Sequence, residues 1–338
     1  VHVAVDAQNI VKDERGIGRY ARAVLRRALR EPEHRWTFVV RDWLPNQRAI
    51  ERALGTDGLV VAKRVPSGAD VVWFPWNGVF LQGGDAPVVA TVHDAAPFAF
   101  PSRDIHLRAR EQTPFLRTAA TAKKILVQSR FTASEVQHWL GVERSRIVVV
   151  PLGVDPAFRP GPATLPPRLR GKRYVLHVGA HEERKNTATL MAGFAQAFPR
   201  GDVTLVFTQR PKELPTNAVV ADASDDTKLL HLYRGATAVV IPSTYEGFGL
   251  PMLEAMASGA PVLAARAGAL PEVGENAVAW VDRPNEVKAW ARALEEMLED
   301  DEQLREYAAL GLAQAQTFSW DRCTQQTLDV LTTVAGGK

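Results

Sequence analysis

The chain has 338 residues, 46% hydrophobic and 23% charged, with a single cysteine, Cys323. That is an ordinary globular composition, and the length favours two domains over one. One cysteine excludes internal disulfides and a multi-cysteine metal site, and no apolar run nears the roughly 20 residues that cross a bilayer. The net charge of +3 is uneven: residues 1–160 carry 23 Lys/Arg against 16 Asp/Glu, and residues 161–338 carry 18 against 22. A basic first half suits phosphates, an anionic membrane or nucleic acid, and equally an Arg-rich solvated surface. The lone cysteine fits a reducing cytoplasm, the expected location, and no basic-then-apolar pattern of a secretory signal is seen.

The first apolar, β-branched run is 2–7. Gly16-Ile17-Gly18-Arg19-Tyr20-Ala21 follows and matches G-x-G-x-x-A. A dinucleotide fingerprint needs its glycines directly after the strand. Here residues 8–15 intervene, so that reading fails. The loop is expected to bend over a ligand, with amides at the next helix start facing phosphate. That helix is predicted from Arg19 to Arg30, with Tyr20, Val24, Leu25 and Leu29 inward and Arg19, Arg22, Arg26 and Arg30 outward. Further strands are expected at 37–42, 59–64, 71–76, 88–94, 124–129 and 147–152. Several are nearly continuous in apolar residues, as parallel strands buried on both faces are. His93 and Asp94 end the 88–94 run, where side chains of such sheets meet ligands; a buried structural histidine is the equal alternative. The segment 103–124 carries six Lys/Arg and two acids, with Ile105, Leu107, Phe115 and Leu116 between them. It suits an anionic bilayer or a lipid-linked acceptor, and equally an ordinary surface helix.

Residues 151–167 hold six prolines and two glycines and read as a linker. Strand–helix alternation restarts at 174–180 and continues through 203–208, 218–222, 238–243, 261–266 and 277–282. Two successive α/β sheets are the simplest architecture, closed by a helix from Phe318-Ser319-Trp320-Asp321 that Ser319 or Asp321 caps. Arg184 and Lys185 lie in the strand-to-helix loop Gly179–Asn186, where they can neutralise a diphosphate; a solvated basic pair is the alternative. Glu246 and Glu254 bracket the turn Gly247-Phe248-Gly249-Leu250, with a short helix predicted over about 251–258 between Pro251 and Gly259. Such a helix start attracts anions. Carboxylates beside it would repel a phosphate unless they bind something else, and sugar hydroxyls are the natural candidates. The pair therefore suggests a nucleotide sugar. Asp225-Asp226 and Asp300-Asp301 read as surface acids. No H-x-x-x-H, C-x-x-C or G-x-S-x-G pattern is present, and no metal is expected.

Glu246-x7-Glu254 within EGFGLPMLEAMASGAPVLAA, RGIGRY (15–20), HDAAPF (93–98), SRFTASE (129–135), PLGVD (151–155), ERKN (183–186) and FSWD (318–321) together resemble the retaining glycosyltransferases of family 4, also called glycosyl transferases group 1. The look is that of bacterial mannosyltransferase-like members, and it covers nearly the whole chain. The resemblance implies the GT-B fold. Its two facing Rossmann-like domains would be an acceptor domain, 1–155, and a donor domain, 168–317, with a cleft between them. The helix 318–338 would cross back to the first. It implies transfer of a hexose, from a GDP-mannose-like donor or a UDP-sugar, to a hydroxyl of a glycan, lipid-linked or small-molecule acceptor in polysaccharide biosynthesis. The anomeric configuration would be retained, without metal or other cofactor, and peripheral contact with the inner membrane face would fit. Glu246 would bind donor-sugar hydroxyls, Glu254 the ribose, and Arg184 and Lys185 the diphosphate. Amides of Gly16 and Gly18 and of Phe248, Gly249 and Leu250 would complete that cradle, Gly247 letting the backbone approach. His93 would meet the sugar near its anomeric centre. Many members carry Arg where Ala180 stands, which shifts the diphosphate onto Arg184 and Lys185. The competing reading is a GT-B-fold nucleotide-sugar epimerase or sugar phosphorylase. A nucleic-acid role lacks any recognition motif.

Overall fold

The apolar runs fold into two parallel sheets, one in each of two units of the chain. A computed structural model describes residues 1–13, 16–42, 45–80 and 84–337; Arg15 of the RGIGRY segment lies outside these. Val1–Gly153 and Ser319–Lys338 form the first unit, and Val154–Phe318 the second.

The first unit runs β1 (His2–Asp6), α1 (Gly16–Ala28), β2 (Arg35–Val39), α2 (Gln47–Leu54), β3 (Val60–Ala62), β4 (Val71–Asn77), β5 (Val88–Val92), α3 (Ala96–Ala99), α4 (Ile105–Thr121), β6 (Ala122–Val127), α5 (Arg130–Leu140) and β7 (Ile147–Val149). Its strand order is β3-β2-β1-β4-β5-β6-β7, and every pairing is parallel. Near-continuous burial of β4 and β5 is what a sheet covered on both faces requires. Phe74, Ala90, Val92, Phe115, Ile125 and Val127 form the heart of its core.

Helix α1 begins at Gly16, three residues before the predicted start, and buries Tyr20, Ala21, Val24 and Leu25. Its outward arginines are not merely solvated. Arg22 donates to the carbonyls of Ile10 (3.0 Å) and Asp13 (2.7 Å), and Arg26 to that of Ala53 (2.7 Å). A Cβ on Gly18 would lie 1.7 Å from the Asp13 carbonyl oxygen. Glycine here lets the loop after β1 lie against the helix, and Arg22 fastens it.

The second unit runs β8 (Tyr174–His177), α6 (Thr187–Ala197), β9 (Thr204–Phe207), β10 (Ala218–Val220), α7 (Asp226–Gly235), β11 (Ala238–Ile241), α8 (Leu250–Ala257), β12 (Val262–Ala265), α9 (Leu270–Gly274), β13 (Ala279–Val281), α10 (Val287–Glu299) and α11 (Asp301–Ala315). Its order is β10-β9-β8-β11-β12-β13, again all parallel. The acid pairs turn out to serve helix starts: Asp225 caps α7 and Asp300 caps α11. The last helix, α12 (Trp320–Gly336), packs in the first unit. Of the two predicted caps it is Ser319 that accepts from the amides of Asp321 and Arg322. Asp321 instead pairs with Arg27 at 2.6 Å, and Trp320 lies 6.3 Å from the Tyr20 ring.

In each sheet the order reverses at the first strand, between β1 and β4 and between β8 and β11. Loops leaving the carboxyl ends of the strands on either side of such a switch diverge and leave a crevice, where open α/β sheets bind ligands.

Candidate active site

In the second unit the loops after β8 and β11 leave adjacent strands at the switch. A single 3₁₀ turn, Glu183–Lys185, sits in the first loop and ends at Asn186, whose φ of 50° is left-handed. The Asn186 side chain is tied to the Pro284 carbonyl at 2.7 Å. The two loops are stapled together: the Thr244 amide donates to the Arg184 carbonyl (2.9 Å), and Arg184 Nη1 to the Tyr245 carbonyl (3.3 Å). This brings three of the predicted residues into one cluster. Lys185 Nζ lies 2.6 Å from Glu246 Oε1, and Arg184 Nη1 lies 3.8 Å from Glu246 Oε2. Arg184 Nε also pairs with Glu182 at 2.7 Å.

Burial pushes the Glu246 carboxyl up, but the Lys185 charge and hydrogen bond, the Arg184 charge and the Ser243 hydroxyl outweigh it. The carboxyl is held below the usual range and is ionised at neutral pH. Beyond it, Gly247, Phe248 and Gly249 are all buried, and Leu250 opens α8. Gly249 has φ 100°, and a Cβ there would meet Leu270 Cδ2 at 2.6 Å, so only glycine fits this turn. Glu254 is the fifth residue of α8 and so lies beyond the first turn, where a purely electrostatic cap would sit. It is buried, and its Oε2 accepts from the Tyr233 hydroxyl at 3.2 Å.

A histidine network braces the same loop. His181 contacts the Gln209 carbonyl through Nε2 (2.7 Å) and the Thr187 hydroxyl through Nδ1 (3.2 Å). Thr187 in turn contacts His177 Nε2 at 3.4 Å. Burial pushes His177 down to about 4, so that ring is neutral at physiological pH. Gln209 also lines an open cavity of about 530 Å³ at the ends of β9 and β10, with Thr208, Ala221, Asp222 and Ser224. The loop of Lys185 is therefore tied directly to that cavity's wall.

In the first unit His93 stands just past β5. Its amide donates to Asn77 Oδ1 (2.6 Å), and its Nε2 lies 2.9 Å from the Pro75 carbonyl. A carbonyl can only accept, so Nε2 carries the hydrogen. Burial pushes the ring pKa down, keeping it neutral with Nδ1 as an acceptor. Tyr20 meets the His93 ring edge-on at 4.9 Å and fixes its plane. Gly16 is exposed, whereas Gly18 is buried beneath the Asp13 carbonyl.

The motifs do not single out Asp6, Tyr233, His177 or His181. Asp6 ends β1, the same signal that singled out His93. Its Oδ1 accepts from the Gln8 amide at 3.1 Å, while Oδ2 is buried without a partner. Burial pushes its carboxyl up to about 6, against the Gln8 amide and the Arg41 charge. Tyr233 carries no such signal, since nothing in the spacing links it to Glu254. Among the described residues no cluster of three His, Cys, Asp or Glu is placed to hold a metal ion.

Residues 15–158 match the family model described as Glycosyltransferase Family 4, and residues 209–311 the one described as Glycosyl transferases group 1. O-antigen chain mannosyltransferase B of Escherichia coli is 34% identical over 265 residues, covering 71% of this chain and 69% of that protein. MMP alpha-(1->4)-mannosyltransferase of Mycolicibacterium hassiacum is 32% identical over 230 residues, 63% of this chain and only 55% of that protein's length. Among solved structures, Anabaena HepE in complex with UDP and glucose aligns with a TM-score of 0.73 over 98% of this chain and 99% of that one. At 17% identity this is a likeness of fold.

Proposed function

The chain belongs to glycosyltransferase family 4, and from that premise we propose that it transfers a hexose from a nucleoside-diphosphate sugar to an acceptor hydroxyl, with retention at the anomeric carbon. The observation that carries this reading is the Lys185–Glu246 pair where the loops after β8 and β11 meet, with Arg184 on the same carboxylate and the start of α8 beside it. The hard step is departure of an anionic diphosphate from an oxocarbenium-like centre. Fixed positive groups and helix amides stabilise that developing charge. Lys185 has three N–H donors and uses one on Glu246, which leaves two for phosphate oxygens. Arg184 adds a guanidinium.

Glu246 is buried between two cations, which makes its carboxylate a poor nucleophile and a good anchor. It orients Lys185 and accepts from hydroxyls of the donor sugar. The leaving phosphate then takes the acceptor's proton as the acceptor attacks from the same face. Glu254, steadied by Tyr233, receives the ribose hydroxyls, and the cavity beside Gln209 takes the base. Both curated relatives described above are mannosyltransferases by name, which favours a mannosyl donor of GDP-mannose type over a UDP-sugar. A hydroxyl of a glycan, free or lipid-linked, is the acceptor. No metal takes part, so excess EDTA leaves the rate unchanged; a rate restored only by magnesium would refute this.

A thermal-shift panel of nucleotide sugars tests the donor. The true donor at 100 times its Kd stabilises the fold by about 2.7 kcal/mol. A panel in which no nucleoside-diphosphate sugar raises Tm overturns the reading. NMR of the product's anomeric centre tests retention, and an inverted product rejects it. Donor isomerised in the absence of acceptor would point to an epimerase instead.

A further inference from the structure

Four of the six exposed large apolar side chains among the described residues belong to one layer of the first unit, the layer of α3, α4 and α5. They are Phe100, Ile105, Leu116 and Trp139, at 42%, 62%, 54% and 38% exposure. The layer is firm beneath them. Phe98 packs on Phe115 of α4 (5.6 Å) and on Trp139 of α5 (6.2 Å), and Gln112 of α4 donates to the Pro97 carbonyl (2.8 Å).

The sequence order of α4 sorts its surface. At about 100° per residue, Ile105, Ala109, Leu116 and Ala120 fall within roughly 60° of one another. All four are exposed. Arg110 and Arg117, one residue beyond Ala109 and Leu116, border this stripe on one side, and Arg108 borders it on the other. On α5 the carboxylate of Glu135 accepts from Trp139 Nε1 at 3.1 Å, and the two acids of the 103–124 segment lie off the α4 stripe. Asp104 is engaged as the helix cap, accepting from the amides of His106 and Leu107. Glu111 projects from the far side of the helix. The stripe also lies in the half of the chain with the positive balance, 23 Lys/Arg against 16 Asp/Glu.

We infer that this layer docks on an anionic lipid bilayer, with Ile105 and Leu116 entering the interface and Arg108, Arg110 and Arg117 meeting head-group phosphates. A sparse apolar stripe between basic borders matches such a surface, where shallow insertion and charge attraction add. A protein partner would instead need a contiguous apolar centre that desolvates as one patch. No helix among the described residues is long and apolar enough to cross a membrane, so the contact is peripheral. It does not depend on which donor the second unit takes, and it brings the protein to the face where a lipid-linked acceptor would be presented.

Co-sedimentation of the full chain with vesicles tests this. Mixed phosphatidylcholine–phosphatidylglycerol vesicles should bind it, pure phosphatidylcholine should bind far less, and added salt should weaken binding. Arg110→Gln with Arg117→Gln should lower the partition roughly 25-fold, at about fivefold per basic residue near the surface. Ile105→Ser with Leu116→Ser should abolish binding while leaving the melting temperature and the affinity for nucleoside diphosphate unchanged. Equal binding to neutral and anionic vesicles, or full binding by the Ile105/Leu116 variant, overturns the inference. So does a chain that ignores vesicles but forms dimers that the same variant dissolves, which would give the face to a second copy.

Discussion

Replacing Lys185 by alanine separates the structural and chemical roles of the site. Lys185 Nζ and Glu246 Oε1 are 2.6 Å apart, with the side chains only 14% and 11% exposed. The substitution strands a carboxylate whose remaining cation, Arg184, is 3.8 Å away, beyond hydrogen-bond distance. Breaking a buried pair from one side costs about 3–5 kcal/mol, because the survivor stays charged and desolvated. Arg184 and Ser243 still face Glu246. The expected loss is therefore at the low end, about 3 kcal/mol, or over a hundredfold in the folding equilibrium. Adding Glu246→Gln removes the stranded charge and recovers most of that loss.

The pH dependence has a definite sign. In the native protein the Glu246 carboxyl is held low, so its stabilisation is present above the ordinary carboxylate value of about 4.3 and is lost as pH falls through the lower folded value. Without the Lys185 charge and hydrogen bond the folded carboxyl lies above its native position, so the damage is largest at neutral pH and shrinks on acidification. Urea unfolding followed by circular dichroism measures this at pH 7 and pH 5. A loss below about 1 kcal/mol would show that water screens the pair. A double variant less stable than Lys185→Ala would show that Glu246 is not stranded. Transfer rate should fall by about 10²-fold or more in Lys185→Ala and stay low in the double variant, since the diphosphate loses its cation in both.

Asp6→Asn should stabilise the protein at pH 7. A carboxyl pushed up to about 6 by burial, against an ordinary 3.9, carries a penalty of about 3 kcal/mol when ionised, and the penalty fades as pH falls from 6 towards 4. Urea titrations at pH 7.5 and 4.5 that give equal differences would contradict that origin. Gly18→Ala should destabilise the first unit by about 1–3 kcal/mol, because its Cβ would meet backbone rather than a mobile side chain. An unchanged melting temperature would mean that the Asp13 loop simply moves away. Tyr233→Phe should leave the fold intact yet weaken binding of free nucleoside diphosphate, since Glu254 loses the hydroxyl that steadies it. Calorimetry showing unchanged affinity would remove Glu254 from the ribose.

Most of the fold was legible because buried parallel strands announce themselves. Runs such as VVWFPW and AVVIPS are apolar throughout, and only a sheet covered on both faces accommodates that. The glycine turn and its two glutamates were legible for a similar reason, since a proline, a φ of 100° and a helix start are local matters. Local signals told only part of the story at α1. Periodicity alone placed its arginines outward and named no partner for them. Arg22 in fact holds the loop before the helix, and the glycine of the apparent phosphate motif makes room for a carbonyl.

By itself, then, the sequence determined the alternation of strands and helices, the residues at strand ends and the chemistry available there. Those depend on periodicity, backbone freedom and charge, which are properties of neighbours in the chain. Only the tertiary structure decided which of those residues meet. Lys185 and Glu246 are 61 positions apart and share a bond because β8 and β11 are adjacent in the sheet. Tyr233 reaches Glu254, and His181 reaches Gln209, for the same kind of reason. It also decided protonation. Burial and nearby charge, not residue type, keep Glu246 ionised, His93 and His177 neutral, and Asp6 close to its titration point.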